Sequence, residues 1–275
     1  MHESAKLFSG KKGVIMGVAN EHSLAAGVAG FLSAQGAELA FSHLPDKDGR
    51  NRMEQRVRRV TDKLNTKLLA PCDVSSNDDI VAFFNKVSDS FGSIDFFVHS
   101  VAFAPVEDIR CPTVACSRAG FLNAMDISVY SFIATARAAS EFMSSGGSIA
   151  TMTYFGAEKV LAGYNMMGVC KAALEASVRY LANDLGPKNI RVNAVSAGPV
   201  KTLAASAVGD FSTMLGINAA IAPLGRNVTN DDVGRSTAML LSDMASSITG
   251  EILHVDCGYN IMGSPGHAIE RLSKK

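Results

Sequence analysis

The chain has 275 residues, 47% of them hydrophobic and 19% charged, and its 26 basic and 26 acidic side chains cancel. A sizeable core and a buried subunit interface fit that composition, while the zero balance argues against a nucleic-acid partner, which draws a basic surface. No run of about 18 apolar residues offers a membrane-spanning helix, and the opening MHESAKLFSGKK lacks the apolar stretch of a signal peptide.

Strand-like and helix-like segments alternate along the chain. KGVIMGV, residues 12–18, reads as a strand and SLAAGVAGFLSAQG, 23–36, as a helix. AELAFSH (37–43) is a strand, and the arginine-rich segment 46–64 a helix. TKLLAPCDV (66–74) and DDIVAFFNKVSDSFG (78–92) repeat the pair, as do SIDFFVHSVAF (93–103) and one long helix over 119–143. GSIATMTYF (147–155) is a strand before an apolar-periodic helix over 164–185, closed by Gly186-Pro187. NIRVNAVSAG (189–198) is the sixth strand, 229–244 a helix with Thr229 as its cap, and GEILHVDCGY (250–259) the last strand. Seven strands with intervening helices predict a single α/β domain over 1–275. It is a doubly wound, Rossmann-type fold with a seven-stranded parallel sheet and helices on both faces. Two stretches break the rhythm, 104–118 and 197–226. Both follow strand ends, where open α/β sheets bind ligands. The second is rich in small apolar residues and reads as a substrate lid, with Gly209 and Gly216 as hinges.

The first strand-to-helix turn, GVANEHSLAAGVA, holds Gly17 at the strand end and Ser23 at the helix start. Gly27 lies one turn inside, where a missing side chain lets helix and strand approach. The pattern is not G-x-G-x-x-G. A glycine turn, helix N-terminal amides and a neighbouring hydroxyl nonetheless suit a pyrophosphate, although an ordinary glycine turn with Ser23 as N-cap fits the same letters. The second strand ends in Ser42, His43 and Leu44, none of them acidic, and Asp46 comes late for a ribose. Arg50, Arg52, Arg56, Arg58 and Arg59 follow, a run that reads as a solvated helix face before it reads as a 2′-phosphate site. Asp73 and Val74 end the third strand, suited to an adenine edge.

The stretch YNMMGVCK, residues 164–171, sets the Tyr164 phenol and the Lys171 ammonium on one helix face. They lie about two turns apart, roughly 10 Å along the axis, and a lysine leaning toward the helix N-terminus shortens the gap. Two amphipathic side chains on a surface helix would give the same spacing. The five cysteines, Cys72, Cys111, Cys116, Cys170 and Cys257, are unpatterned and point to reduced thiols in a cytoplasmic protein. Cys111 and Cys116 lack a second Cys or His pair, so no metal is expected.

Within a doubly wound domain, the Tyr-x6-Lys pair resembles the short-chain dehydrogenase/reductase superfamily. GVANEHS, VHSVAFAP, TYFGAEKVLAGYNMMGVCKAALEA and RVNAVSAGPVKTLAASAVGDF are similar to blocks of the bacterial NADH-dependent enoyl-acyl-carrier-protein reductases, over residues 8 to about 262. The resemblance implies roles. Gly17, Ser23 and Leu24 line the pyrophosphate and adenosine side; Leu44 stands near the adenosine, where many relatives carry glutamine; Asp73 and Val74 flank adenine. Val101 and Ala102 back the nicotinamide ribose, Lys171 grips the ribose hydroxyls, and Val200, Lys201, Thr202, Leu203 and Ala204 hold the nicotinamide amide. Ala104 meets substrate through its backbone, Tyr164 faces the thioester carbonyl and Tyr154 lines the acyl pocket. NADH rather than NADPH, an acyl carrier protein bearing an enoyl chain, and a homotetramer are implied with them.

The chemistry agrees. Hydride delivery to the β-carbon of a 2-enoyl thioester leaves negative charge on the thioester oxygen. A neutral phenol is a good donor to it, and a nearby ammonium lowers the phenol's pKa. Cys170, Met166 and Met167 read as packing and His99 as structural. A carbonyl reductase of the same superfamily is the second reading. TYFG puts Tyr154 where those enzymes offer a serine, though Thr151 or Thr153 could supply a hydroxyl. A nucleotide-sensing module without turnover is the third, and the intact Tyr–Lys pair speaks against it.

Overall fold

A computed structural model describes residues 6–46, 48–202 and 211–265. Their elements run β1 (Lys12–Met16), α1 (Leu24–Ala34), β2 (Glu38–His43), α2 (Arg52–Thr61), β3 (Thr66–Pro71), α3 (Asn77–Phe91), β4 (Phe96–His99), α4 (Val106–Arg110) and α5 (Arg118–Met125). They continue with α6 (Ser131–Ser140), β5 (Gly147–Thr153), α7 (Asn165–Leu185), β6 (Ile190–Ala197), α8 (Phe211–Ile221), α9 (Asn230–Leu241) and β7 (Ile252–Val255). All seven expected strands are present, in one parallel sheet of order β3-β2-β1-β4-β5-β6-β7. The chain winds outward from β1 to β3, then returns past β1 to build β4 to β7. The order therefore reverses between β1 and β4, where such sheets open a crevice at the carboxyl ends of the strands.

Alternation along the strands explains the two packed faces. Val14, Met16 and Phe97 join Phe83 and Phe84 of α3, Phe132 of α6, and Leu174 and Val178 of α7. Their neighbours Ile15, Phe96 and Val98 turn the other way, onto Val28 and Leu32 of α1, Val57 of α2, and Val233 and Leu240 of α9. Both faces are apolar because both are covered, as parallel sheets require.

The structure moves one expectation. Gly27 does not bring helix to strand; it brings α1 onto α9. A Cβ on Gly27 would stand 2.6 Å from Asn230 O, and one on Gly234 would stand 2.6 Å from Gly27 O. Two glycines facing each other allow the helix backbones to touch.

The long helix expected over 119–143 is real but broken in phase. Between α5 and α6 lies a π-helical turn, Asp126–Tyr130. Its Ser128 hydroxyl donates to Phe103 O at 2.7 Å and accepts from Phe103 N at 2.9 Å. The irregular stretch 104–118 contains α4 and a 3-10 turn, Thr113–Ala115, and the stretch 197–226 contains α8. Gly216, expected as a hinge, lies inside α8; Gly209 falls outside the described residues.

Candidate active site

The residues singled out above gather at the carboxyl edge of the sheet because nearly all follow a strand. Gly17 follows β1, Leu44 β2, Asp73 and Val74 β3, and Val101, Ala102 and Ala104 β4; Tyr154 follows β5, and Val200, Lys201 and Thr202 follow β6. Leu203 and Ala204 lie outside the described residues. Gly17 takes φ 100°, and a Cβ there would collide with Ser100 O, so the β1 and β4 ends meet too closely for any side chain. Ser23 occupies the cap position of α1, yet its hydroxyl donates to Asn20 O at 2.7 Å and makes no bond to the helix. The first amides of α1, from half-buried Leu24 onward, therefore carry no side-chain cap at the point where the strand order reverses. That is the setting in which a helix N-terminus receives an anion.

On the outer side of the crevice, Leu44 is exposed. Asp46 is committed elsewhere: its Oδ2 accepts from Met53 N at 2.8 Å, and Oδ1 lies 3.7 Å from Arg52. Arg50 and Arg52 pair with Asp48, Arg58 with Glu54 and Asp62, and Arg56 and Arg59 are exposed, so the arginine run is a solvated face of α2. Asp73 Oδ1 accepts from Ser75 N and Oγ at 3.0 and 2.7 Å. Val74, Val101 and Val200 are half-buried against the core, Ala104 is buried, and Ala102 and Lys201 are exposed.

The other side of the crevice carries Tyr154, Tyr164 and Lys171. After β5 the chain makes a 3-10 turn, Phe155–Ala157, and reaches Tyr164 just before α7. The Tyr154 and Tyr164 rings meet edge to face, with centroids 5.0 Å apart and planes at 84°. Gly156 makes the space for Tyr164, since a Cβ there would collide with the ring. Lys171 lies two turns into α7, buried, and donates from Nζ to Met152 O of β5 at 2.8 Å. Burial lowers its ammonium to about 8. Burial also pushes the Tyr164 phenol well above its ordinary value, and the neighbouring Tyr154 adds to the rise. The expectation that the ammonium lowers the phenol's pKa is thus overturned: loss of water disfavours the phenolate more than any nearby cation favours it. Tyr164 stays a neutral donor. Tyr154 is raised to about 12, first by burial and then by Tyr259 and Asp256, and its hydroxyl faces Met214 Sδ of α8 at 3.9 Å.

Three neighbours escaped the sequence reading. Asn165, directly after Tyr164, takes φ 39° and donates its amide to Ile109 O and Cys111 O at 2.8 and 2.9 Å. It ties the end of α4 to the start of α7, in a backbone conformation that asparagine tolerates better than most. Ser128 holds the loop after β4, as described. Glu175, one turn beyond Lys171, is buried and accepts from Thr153 Oγ1 at 2.7 Å. His99 and Cys170 match their structural readings. His99 sits between Thr151 Oγ1 (3.3 Å) and Ser131 Oγ (2.9 Å), lowered by burial to about 3 and hence neutral, while burial raises the Cys170 thiol to about 11. Met166 and Met167 are buried in a cluster with Ala104, Ile109 and Cys170.

A doubly wound parallel sheet, an uncapped helix at its reversal point, and a Tyr–Lys pair behind the adjoining strand define a dinucleotide-dependent oxidoreductase of the short-chain dehydrogenase/reductase kind. Residues 17–260 match the family model described as enoyl-(acyl carrier protein) reductase. The chain is 46% identical to the enoyl-acyl-carrier-protein reductase (NADH) of Rickettsia typhi over 261 residues, 95% of this chain and 98% of that one. It superposes with a TM-score of 0.89 and 49% identity on the crystal structure of the Anaplasma phagocytophilum reductase in complex with NAD, covering 95% and 98% of the two chains. The Bacillus cereus reductase, solved with NADP+ and indole naphthyridinone, gives 0.90 and 46%, covering 94% of this chain and all of that one. The chain belongs to the enoyl-acyl-carrier-protein reductase family.

Proposed function

We propose that the chain reduces the double bond of a trans-2-enoyl thioester held on acyl carrier protein, with NADH as reductant, in fatty acid elongation. The observation that carries this reading is the edge-to-face pair of Tyr154 and Tyr164 together with buried Lys171, which donates to Met152 O two residues before Tyr154. NADH, when bound, supplies the hydride. Its pyrophosphate suits the uncapped start of α1, and Lys171 would hold its ribose. Tyr164 then donates to the thioester oxygen as charge develops there. Being neutral at the start, it makes that bond without first losing a proton. Tyr154 and α8 form the wall of an acyl pocket, and Ala104, in the cluster that Tyr164 packs against, offers its backbone.

The carbonyl-reductase reading loses support from the same geometry. Thr151 faces His99 and Thr153 is bonded to Glu175, both buried, so neither hydroxyl is placed for a substrate carbonyl. The intact Tyr–Lys pair likewise speaks against a sensing module. The pairing of Arg50, Arg52 and Arg58 with acids favours NADH over NADPH.

The rest of the reading is one catalytic domain over 1–275, with residues 197–226 as a lid, working as a homotetramer in the cytoplasm. Phe121, Leu122, Tyr130, Val169 and Tyr180 are exposed on α5, the π turn and α7, faces that subunit packing would cover. Five free cysteines fit a reducing compartment. The deciding experiment supplies NADH with crotonyl thioester or acetoacetyl thioester. Oxidation with the first and not the second is the expected result; the reverse pattern would make the chain a carbonyl reductase, and no turnover with either would leave a sensor.

A further inference from the structure

Glu175 is a buried carboxylate with no part in the reaction as described. It lies on α7 four residues after Lys171, and both side chains are 6% exposed. That spacing stacks them on one helix face. Both also reach the same strand end: Lys171 donates to Met152 O at 2.8 Å, and Glu175 accepts from Thr153 Oγ1 at 2.7 Å. The next residue, Tyr154, packs on the Tyr164 ring. A carbonyl would serve as well as a carboxylate to accept from a threonine hydroxyl. Burying a charge for that purpose alone is costly. The charge acquires a purpose from its neighbour, a buried ammonium that Cys170 and then Glu175 favour against the cost of burial.

We propose that Glu175 is a positioning residue of the reduction: its carboxylate keeps Lys171 charged inside the protein and, through Thr153, sets the strand end that carries Tyr154. This rests on Lys171 as the clamp for the cofactor ribose. The titratable and charged groups that face Glu175 are Lys171 and Arg179 of α7, Glu158 beyond the 3-10 turn, and His254 of β7, whose Nε2 lies 2.7 Å from Glu158 Oε1. Burial pushes Glu175 above the ordinary carboxylate range and Glu158 adds to the rise, while the Thr153 hydroxyl, His254 and Arg179 pull it back.

The test follows NADH affinity by fluorescence between pH 6.5 and 10 in the parent, Glu175→Gln, Glu175→Asp and Lys171→Met, with thermal unfolding of each. The Lys171 ammonium is lowered to about 8, so the parent loses affinity as pH rises through that value. Glu175→Gln keeps an acceptor for Thr153 and removes the charge. Its loss of affinity begins about one pH unit lower, which makes it roughly tenfold weaker than the parent near pH 9 and nearly equal to it near pH 6.5, where Lys171 is protonated in both. Glu175→Asp keeps the charge and stays close to the parent midpoint, and it carries the test if the glutamine variant does not fold. A Glu175→Gln midpoint equal to the parent's overturns the proposal, as does a Glu175→Asp midpoint displaced as far as that of the glutamine. If Lys171→Met binds NADH as the parent does, it is the clamp reading that fails. Weakened binding by Lys171→Met beside a parental profile in Glu175→Gln rejects the role of Glu175 alone.

Discussion

Helices in this chain start in two ways. α3, α5 and α9 begin at a hydroxyl side chain: Ser76, Ser117 and Thr229 each accept from the backbone N–H three residues on. α1 and α7 begin without such a bond. At α1 the available hydroxyl, Ser23, turns back to Asn20 O. At α7 the first residue is Asn165 with φ 39°, and its amide reaches across to the α4 loop. α1 follows β1 at the reversal point, and α7 lies behind β5, two strands away. A capped start commits its amides to the helix's own side chain and stabilises the fold. An uncapped start leaves them for a ligand or, as at Asn165, lends the turn to a tie with a neighbouring loop. A missing cap alone does not mark a working helix, since α2 and α4 also start without one; at α1 and α7 the missing cap coincides with the crevice.

Breaking the α7 start should have the largest effect. Tyr164→Phe keeps the ring against Tyr154 and is expected to lower turnover roughly 10²–10³-fold, the scale of losing one oxyanion donor, with NADH affinity unchanged. Lys171→Met is expected to fail differently, weakening NADH binding by ~1.5–3 kcal/mol. Fluorescence titration and steady-state turnover separate the two, and equal NADH affinity in the parent and Lys171→Met would contradict the division of labour.

Asn165 sharpens the same point. Asn165→Ala loses two side-chain bonds and must still adopt a positive φ, at a cost of ~1–3 kcal/mol in urea unfolding. Asn165→Gly loses the bonds but not the conformation and should fall between alanine and parent. Glycine as harmful as alanine would mean that the φ value carries no strain.

The capped helices should respond only in stability. Thr229→Ala removes one half of a capping box and is expected to cost about 1 kcal/mol with turnover unchanged. A fall in turnover at constant stability would erase the contrast between the two kinds of start. The smallest effect is a pH dependence at the same cap. Arg226, then the Thr229 amide, lower Asp232 to about 2. Its depressed pKa adds stability that is complete above the ordinary value near 3.8 and disappears as pH falls through about 2. Thermal midpoints measured down through that window should decline less in Asp232→Asn than in the parent.

Much of this was legible in the sequence because it is local. Short apolar runs alternating with helix-like segments marked all seven strands, and the Tyr164–Lys171 spacing set both residues on one helix face. What escaped depends on distant partners. Asn165 follows a glycine and a tyrosine and reads as a turn residue, but the carbonyls it holds are 56 and 54 residues away in sequence. Glu175 reads as one more charge on an amphipathic helix, and only packing against β5 buries it. Gly27 was read as touching a strand because the strand is its neighbour in sequence, whereas its partner Gly234 belongs to α9. Tyr164 was read as a neutral donor and stays one, but the direction of its pKa shift was missed: the spacing showed a cation nearby and could not show how much water was gone.

The π turn at Asp126–Tyr130 makes the α5–α6 rod a spliced object, with one extra residue spooled into a single coil. Removing a residue there to make the rod uniform would turn everything upstream by about 100° and shift it by about 1.5 Å. Ser128 would swing off Phe103, and Gly120 would leave its seat against Asp108. A single-codon deletion in this coil would therefore act at a distance, like a gear moved by one tooth, while a conservative exchange at the same position would leave the mechanism in mesh.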